Sequence, residues 1–331
     1  MKETGVISQG IKTPIIKKGD NLIDIVIAAI EKNGRKLKDK DIIAITEAVV
    51  AIAQGNFVTE EDISTDIKNK YKNTKSIAIV DPIQSRNRFL QILKSIVSVE
   101  ELKEIYIFLR FPTDEVGNRL VTDEILMSKK INPYSDVLTA EEFCEKVGDP
   151  KHAFTGINYI KEYEKACNGK AKVIMCNDFS KVPNYCKDVL VCNIHNKEMI
   201  KNIIKNNGGE TVLDMSEIMN EPINGSGYNE KYGLYGSNLM AGNRLKLMPR
   251  DCQELVEELQ RKVKELYNVY IEAMVFGDGA FKDPVGGIWE LADPTTTIGA
   301  TNGLLGTPKE VKLKFISSQH DSEQLSSEEL E

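Results

Sequence analysis

Short apolar strands alternate with amphipathic helices between residues 75 and 215, and this alternation restricts the possible folds more than any other feature of the chain. Strand-like runs such as SIAIVD, EIYIFLRF and AKVIMCND are rich in β-branched and aromatic residues, and helical patterns such as SRNRFLQILKSIV lie between them. Buried strands interleaved with helices form a largely parallel sheet covered on both faces. The sequence therefore predicts an α/β fold with a Rossmann-like lobe.

The segments that flank this lobe carry a shorter pattern of the same kind. Residues 12–55 predict a Pro-containing extended strand, a helix whose N-cap is Asp20, a second strand at 41–46 and a helix that ends at Gly55. With 331 residues, the chain is longer than one domain usually needs. The predicted units are a core of residues 1–60 and 230–316, a lobe of residues 61–229 and a flexible acidic tail of residues 317–331.

Composition excludes several classes of partner. The net charge is -7 and no run of Lys or Arg exceeds two residues, so neither nucleic acid nor an anionic membrane has an obvious surface to bind. No stretch approaches the roughly 18 apolar residues that cross a bilayer. We therefore expect a cytoplasmic protein that acts on small molecules.

The six cysteines form no CxxC pair and predict reduced thiols in the core. A metal cluster of Cys176, Cys186 and Cys192 is the less favoured alternative, because their spacings match no metal template.

A glycine-rich segment, residues 275–308, has the highest density of residues suited to chemistry. Asp278, Asp283, Glu290 and Asp293 are acids that could gather around a hard cation, and Lys282 in the same segment suits a phosphate. The alternative is a connection whose glycines serve turns and whose acids are solvated. No Walker motif or GxGxxG fingerprint is present in the sequence.

A pair of arginines precedes one helix of the lobe. Arg86 and Arg88 follow Ser85, a predicted N-cap, and guanidinium groups at a helix start can bind a carboxylate or a phosphate. The alternative is that one of them packs under the domain and pairs with an acid such as Asp81 or Asp114. His152 and His195 lack a partner at a diagnostic spacing, and a structural or surface role is favoured for both.

Three segments together resemble the coenzyme F420-0 gamma-glutamyl ligase family. GIKTPIIKKGDNL followed by DKDIIAITEAVVAIAQGN is similar to the family's opening, YGLYGSN followed by LKLMPRDCQELVEELQRKV to its second conserved segment, and YIEAMVFGDGAFKDPVG to its third. The resemblance covers residues 10–58 and 230–316. It implies an F420 ligase-like core, with the Rossmann-like lobe as an enlarged middle region.

The resemblance also implies an activity. Members of the family couple hydrolysis of GTP to the attachment of glutamate to a deazaflavin coenzyme through an acyl phosphate, with manganese or magnesium ions at the phosphates. The implied metal ligand is Asp278, with Asp283 and Glu290 as further candidates. The implied nucleotide contacts are Thr13, Pro14, Ile15, Ile16, Asn238, Gly303 and Gly306. Glu47 and Lys282 are further candidates for nucleotide binding that the resemblance does not itself supply. A homodimer is expected by resemblance alone.

Three positions depart from the family pattern. Tyr235 stands where the family has a metal-binding Asp, Gly279 where it has Thr, and Ile52 where it has a nucleotide-binding Lys. These departures leave two hypotheses open. The first is a GTP- or ATP-dependent ligase that joins an amino acid to a carboxylate, and the second is a small-ligand-binding protein that has lost the metal site. A Rossmann-type oxidoreductase is a third and more distant alternative.

Overall fold

The computed structural model of the protein describes residues 7–153, 155–277, 280–282, 289–291 and 293–305, and of residues 280–282 and 289–291 it describes the backbone. The N-terminal elements are α1 (Leu22–Lys32), β1 (Ile42–Thr46), α2 (Glu47–Gln54), β2 (Phe57–Val58) and α3 (Glu60–Lys70). Helix α1 begins after Asn21, whose side chain accepts from the Asp24 N–H at 3.2 Å. The predicted N-cap Asp20 is therefore wrong by one residue.

The lobe contains one six-stranded sheet. Its strands are β3 (Ser76–Val80), β4 (Glu104–Leu109), β5 (Leu138–Thr139), β6 (Ala171–Met175), β7 (Asp188–Val191) and β8 (Thr211–Asp214). Their order across the sheet is β5-β6-β4-β3-β7-β8, and every pair is parallel except the short edge pair β5 and β6. The predicted parallel α/β sheet is confirmed.

Helices cover the sheet because its connections cross from one strand to the next parallel strand. They are α4 (Leu90–Val97), α5 (Asp123–Lys129), α6 (Ala140–Val147), α7 (Tyr159–Ala166) and α8 (Lys197–Asn206), with short 3-10 turns at Phe179–Asn184 and Met215–Glu217. Beginning at β3, the chain first builds the sheet in one direction and then returns to add β7 on the other side of β3. Sheets of this kind bind ligands at the carboxyl ends of the strands near such a reversal.

The C-terminal elements complete smaller sheets. They are β9 (Asn238–Met240), β10 (Arg244–Lys246), α9 (Cys252–Tyr267), β11 (Glu272–Phe276), β12 (Ala280–Lys282), β13 (Trp289–Leu291) and β14 (Thr297–Ala300), followed by a 3-10 turn at Asn302–Leu304. Two of these sheets have the orders β1-β11-β14 and β2-β10-β9, and both combine N-terminal with C-terminal strands. Strand pairing thus joins the N-terminal elements of the chain to its C-terminal elements.

Alternating side chains place a core on each face of the large sheet. Ile77 and Ile79 belong to one buried cluster, whereas Ala78 and Val80 belong to the other. All four are fully buried, and complete burial of a large aliphatic side chain contributes about 1.5–3 kcal/mol. The first cluster also includes Tyr235 and neighbours from beyond residue 230, so the lobe packs directly against the segment that follows it.

Several local predictions were wrong. Residues 12–17 form no strand, and among the described residues β1 pairs with β11 alone. The stretch between β4 and α7, for which no helix was predicted, contains α5 and α6. The glycine-rich segment contains the antiparallel pair β12 and β13. The acidic tail predicted for residues 317–331 lies outside the described residues.

Two predictions about side-chain chemistry and membranes can be compared with the structure. All six cysteines are free thiols, and all except the half-buried Cys144 are buried, as predicted. Within the described ranges, every helix is too short or too polar to cross a bilayer.

Candidate functional site

A cavity of about 370 Å³ lies at the carboxyl ends of β3 and β4. The turn after β3 forms one wall, the loop after β4 and the segment before α7 form two others, and β9 closes the fourth side. The lining side chains include Gln84, Arg86, Asn118, His152, Tyr159 and Asn238. The cavity therefore joins the lobe to a strand of the ligase-like segment.

A tight turn directs Arg86 and Arg88 to different environments. The carbonyl oxygen of Ser85 accepts from the N–H of Phe89 at 3.1 Å, and the Ser85 hydroxyl accepts from the N–H of Arg88 at 3.3 Å. Helix α4 begins only at Leu90, so the prediction that Ser85 is its N-cap is wrong. Arg86 is exposed at the cavity, whereas Arg88 is buried.

Arg88 forms a buried ion pair with Asp293. Its Nη1 lies 2.8 Å from Oδ1 of Asp293, and the two residues are 8% and 4% exposed. Burial of one arginine and its pairing with an acid agree with the predicted alternative, and the acid is Asp293 rather than the examples Asp81 and Asp114. The pair fastens the turn after β3 to the segment that follows β13.

Gly277 lies against the same carboxylate. A Cβ added to Gly277 would come within 2.8 Å of Oδ2 of Asp293, so only glycine allows this close approach. Gly277 immediately precedes Asp278 in the sequence. The glycine-rich segment therefore starts beside the Arg88 and Asp293 pair.

Asn238 is the position that the family resemblance identifies as a nucleotide contact, and it lines the cavity. The next residue, Leu239, donates its N–H to the carbonyl oxygen of Asn87 at 2.8 Å. This main-chain bond links β9 to the turn that carries the two arginines. The structure thus brings Asn238, Arg86 and Arg88 together, although 150 positions separate Arg88 and Asn238 in the chain.

 The separation of these residues in sequence is the reason that no local pattern predicts their meeting.

A buried carboxylate and imidazole form another part of the lining. Nε2 of His152 lies 2.9 Å from Oδ2 of Asp114, and the N–H of Thr155 donates to Nδ1 of His152 at 3.2 Å. Because Nδ1 accepts this bond, the proton of the neutral ring lies on Nε2 and is donated to Asp114. His152 therefore has the structural role that the sequence favoured, and it holds the cavity wall in place.

Asp114 is saturated with donors. One oxygen accepts from the N–H groups of Val116 and Asn118 at 3.0 and 2.8 Å. The other accepts from the Asn118 side-chain amide at 3.1 Å as well as from His152. A carboxylate bound in this way has little capacity left for a ligand, so Arg86 supplies the charge that a ligand in the cavity would meet.

Gln84 is a buried residue of the cavity lining that no sequence pattern identified as a site residue. It is 3% exposed, and its Oε1 accepts no hydrogen bond from any described residue. Leaving such a group buried and unsatisfied costs about 1–3 kcal/mol, so an unpaired acceptor beside a cavity needs an explanation. Its position within PIQSRN carries no motif that could have identified it.

A second polar cluster lies at the reversal point between β3 and β7. Arg110 binds Asp81 through Nε at 3.1 Å and Nη2 at 2.6 Å, and the Asn193 amide donates to the same carboxylate at 2.8 Å. Burial raises the pKa of Asp81, and the guanidinium of Arg110 opposes that rise. Asp81 has a φ of 53°, a left-handed conformation that is uncommon for a residue other than glycine.

Glu115 lies next to this cluster. One carboxylate oxygen accepts from the N–H of Ile194, and the other is buried and accepts no hydrogen bond from a described residue. Burial and the nearby charge of Asp81 raise the pKa of Glu115 to about 8, against the opposing effect of the N–H groups of Ile194 and His195 and of Arg110. The folded protein therefore holds a proton on Glu115 at neutral pH.

This proton predicts a dependence of stability on pH. The pKa of Glu115 is about 8 in the folded chain against an ordinary value of 4.5, so its stabilising contribution is present at low pH and is lost as the pH rises towards 8. We expect the free energy of unfolding of the parent to fall relative to Glu115→Gln by at most about 1.4 kcal/mol per pH unit over this interval. Urea unfolding of both proteins at several pH values would measure it, and a constant difference would contradict it.

Glu47, a predicted nucleotide contact, is buried in the first turn of α2. It is 1% exposed and pairs with Lys246 of β10, which is 3% exposed. Ile52, on the same helix, is half-buried. In the structure Glu47 therefore contacts a buried lysine of the protein.

The remaining predicted positions are dispersed. Pro14 and Ile15 are exposed, Thr13 and Ile16 are half-buried, and the N–H of Gly303 donates to Oε2 of Glu272 at 3.3 Å. Lys282 and Glu290 lie in β12 and β13, whose register pairs Lys282 with Trp289 and Phe281 with Glu290. The positions outside the described residues are Asp278, Gly279, Asp283 and Gly306.

Tyr235, which replaces a metal-binding Asp of the family pattern, is buried. Its hydroxyl donates to the carbonyl oxygen of Asn193 at 2.7 Å, at the reversal point of the large sheet. The described residues contain no group of three His, Cys, Asp or Glu side chains that could hold a metal ion. Cys176, Cys186 and Cys192 are buried free thiols.

A second cavity, also of about 370 Å³, lies between α1, α2 and the start of α9. Asp20, Asp251, Glu254 and Glu258 contribute to its lining. These acids repel a phosphate group, so the first cavity is the better candidate for an anionic ligand.

Comparison with known proteins finds two short matches. An uncharacterised protein of Methanocaldococcus jannaschii is 48% identical over 50 residues, which are 15% of this chain and 17% of that protein. The coenzyme F420:L-glutamate ligase of Methanothermobacter thermautotrophicus is 38% identical over 50 residues, which are 15% of this chain and 20% of that protein. Each match thus spans a fifth or less of the relative's length.

A family match extends over far more of the chain. The family described as F420-0:gamma-glutamyl ligase matches residues 10–328, which include the six-stranded lobe as well as both flanking segments. The match contains every residue that lines the first cavity. The chain therefore belongs to the F420-0:gamma-glutamyl ligase family.

Proposed function

We propose that this protein is a ligase that joins L-glutamate to a carboxylate substrate through an amide bond, with a nucleoside triphosphate and a divalent metal ion. Family membership supports the gamma-glutamyl ligase activity. The observation that carries the proposal is the meeting of Asn238 with Arg86 and the Arg88 and Asp293 pair around one cavity. The enlarged lobe would shape the site for a substrate that need not be the deazaflavin.

The proposed reaction has two steps. A carboxylate oxygen of the substrate attacks the γ-phosphorus of GTP or ATP, and the bond to the nucleoside diphosphate breaks, which leaves an acyl phosphate. The amine of glutamate then attacks the acyl carbon, the C–N bond forms, and phosphate leaves with the electron pair of the C–O bond. The nitrogen loses a proton to solvent. In this scheme Arg86 binds an anionic group, and Asn238 contacts the nucleotide.

The residues proposed for manganese or magnesium are Asp278, Asp283 and Glu290. Their carboxylates have the hard oxygen chemistry that these ions prefer, and a bound ion would neutralise phosphate charge. The described neighbour of this segment, Asp293, already pairs with the cationic Arg88, which disfavours Asp293 as a metal ligand. Asp293 therefore serves better as an anchor for the turn that carries Arg86.

Tyr235 favours the second candidate function, a small-ligand-binding protein without catalysis. Its buried hydroxyl is bonded to the Asn193 carbonyl, so this position supplies no carboxylate for a metal ion. Such a protein would bind a small molecule in the cavity without a nucleotide or a metal. The two candidates therefore differ in a measurable requirement.

Thermal unfolding with GTP and ATP, each with and without manganese or magnesium, tests the ligase proposal. A ligand at 100 times its Kd stabilises a protein by about 2.7 kcal/mol, which raises the unfolding temperature. We expect the increase with nucleotide and metal together, and phosphate release that requires L-glutamate and a carboxylate substrate. The same unfolding temperature under every combination would contradict the ligase proposal.

Replacement of Asp278 by Ala tests the metal assignment. We expect Asp278→Ala to lose the metal-dependent part of the stabilisation, because a carboxylate ligand is removed. Glu145→Ala, which removes an exposed acid from α6, is the matched control and should respond to metal like the parent. A normal metal response of Asp278→Ala would show that Asp278 is misassigned.

A further inference from the structure

The side-chain oxygen of Gln84, at the edge of the first cavity, has no hydrogen-bond donor among the described residues. The residue is 3% exposed and lines the cavity, and Oε1 accepts no hydrogen bond from a described residue. Buried side-chain acceptors are nearly always satisfied by protein, water or ligand. A ligand N–H in the cavity would satisfy this oxygen after a small rotation of the side chain.

Arg86 supplies a positive charge to the same cavity, two positions along the chain. It is exposed, and its guanidinium forms no ion pair with an acid of the described residues. Guanidinium groups bind carboxylates through two parallel hydrogen bonds. A ligand that satisfies both side chains carries a carboxylate and an N–H donor.

The acid on the opposite wall of the cavity does not neutralise the charge of Arg86. The oxygens of Asp114, the acid in the lining, accept from Val116, Asn118 and His152. Asn118 donates through Nδ2 to Asp114, which orients the amide. Among the described lining residues, the cavity thus places the guanidinium of Arg86 beside neutral amide groups, a composition that suits an amino acid.

We propose that Gln84 and Arg86 form the amino-acid site of the protein, with the α-carboxylate on Arg86 and the amino group donating to Oε1 of Gln84. This assignment rests on the proposed ligase function. A carboxamide oxygen accepts an N–H and leaves the lone pair of a neutral amine free. Gln84 is therefore a positioning group that holds the nitrogen without consuming its reactivity.

The first test replaces Gln84 by Met, which has a similar length and no amide. We expect the Kd for L-glutamate to rise about tenfold or more, measured by calorimetry with manganese and a non-hydrolysable GTP analogue present. The urea midpoint should stay the same or rise, because no hydrogen bond to a described residue is lost. A glutamine whose amide is hydrogen-bonded to the protein would instead lose stability on the same replacement.

Gln54 provides that comparison. Its amide donates to the carbonyl oxygen of Arg250 at 2.6 Å and accepts from the N–H of Arg250 at 3.0 Å. Gln54→Met should therefore lower the urea midpoint and leave the Kd for L-glutamate unchanged.

The second test replaces Arg86 by Met. We expect a rise in the Kd for L-glutamate of about tenfold or more, because a charge-assisted pair is lost. 4-Aminobutyrate, which lacks the α-carboxylate, should bind the parent and Arg86→Met equally. Arg261→Met removes an exposed guanidinium from α9 and should bind L-glutamate like the parent.

The outcomes separate this assignment from the proposed function. If the parent binds nucleotide but both variants bind L-glutamate like the parent, or the parent does not bind it, the site assignment is overturned while the ligase proposal stands. If the parent binds L-glutamate through these residues but no nucleotide, the ligase proposal fails while the site stands. A loss of stability in Gln84→Met equal to that in Gln54→Met would overturn the positioning role.

Discussion

Replacement of Lys246 by Met is expected to lower the free energy of unfolding by about 3–5 kcal/mol, because it leaves the carboxylate of Glu47 buried without the Lys246 charge. The side chains of Lys246 and Glu47 are only 4% and 1% exposed. Their contact joins β10 to α2 and thereby connects C-terminal with N-terminal parts of the ligase-like segments. Urea unfolding of the parent and Lys246→Met would measure the loss.

The double variant Lys246→Met with Glu47→Leu provides the control. Removing both charges avoids an uncompensated buried group, so most of the lost stability should return. A double variant that folds well also permits a nucleotide-binding measurement that separates the structural role of Glu47 from the predicted nucleotide contact. A loss below about 1 kcal/mol in Lys246→Met would show that this pair behaves like a surface pair.

Replacement of Arg88 by Met is expected to cost a similar amount, about 3–5 kcal/mol, since Asp293 would keep its buried charge. The side chains of Arg88 and Asp293 are 9% and 1% exposed, and Nη1 and Oδ1 are 2.8 Å apart. The variant should also weaken the contact between the turn after β3 and the start of the glycine-rich segment. Urea unfolding measures the first effect.

Arg86→Met is the matched control for Arg88→Met, because both remove an arginine from the same turn. Arg86 is exposed, so its replacement should change the free energy of unfolding by no more than about 0.5 kcal/mol. A double-mutant cycle with Asp293→Asn would measure the coupling of Arg88 to Asp293. Equal losses in Arg86→Met and Arg88→Met would contradict the buried role of the Arg88 pair.

The central strands of the large sheet were predictable because most of their side chains are buried. Ile77 and Ile79 face one core cluster and Val80 the other, so residues 77–80 are apolar throughout, unlike a solvated loop. Helices α5 and α6 were missed because they are short and mostly polar on their exposed faces. Their Thr122 and Thr139 caps were the available signal.

Membership of the ligase family was predicted from three segments and is confirmed, and the match extends to the middle lobe. The contacts of the candidate site could not be predicted in the same way. The partner of Arg88 is 205 positions away, and no local pattern distinguishes Asp293 from the nearer acids Asp81 and Asp114. Gln84 was missed because the lack of a hydrogen-bond donor is a property of the packed structure.

The two-residue strand β5 has a consequence for self-association. It pairs antiparallel with β6 at one margin of the large sheet, through Leu138 and Thr139 alone, and α6 begins immediately afterwards. Because this edge strand is so short, it offers little main chain for strand addition by another copy. Short edge strands are one way in which proteins prevent aggregation through their sheets. The homodimer proposed from the family resemblance would therefore have to assemble through a different surface.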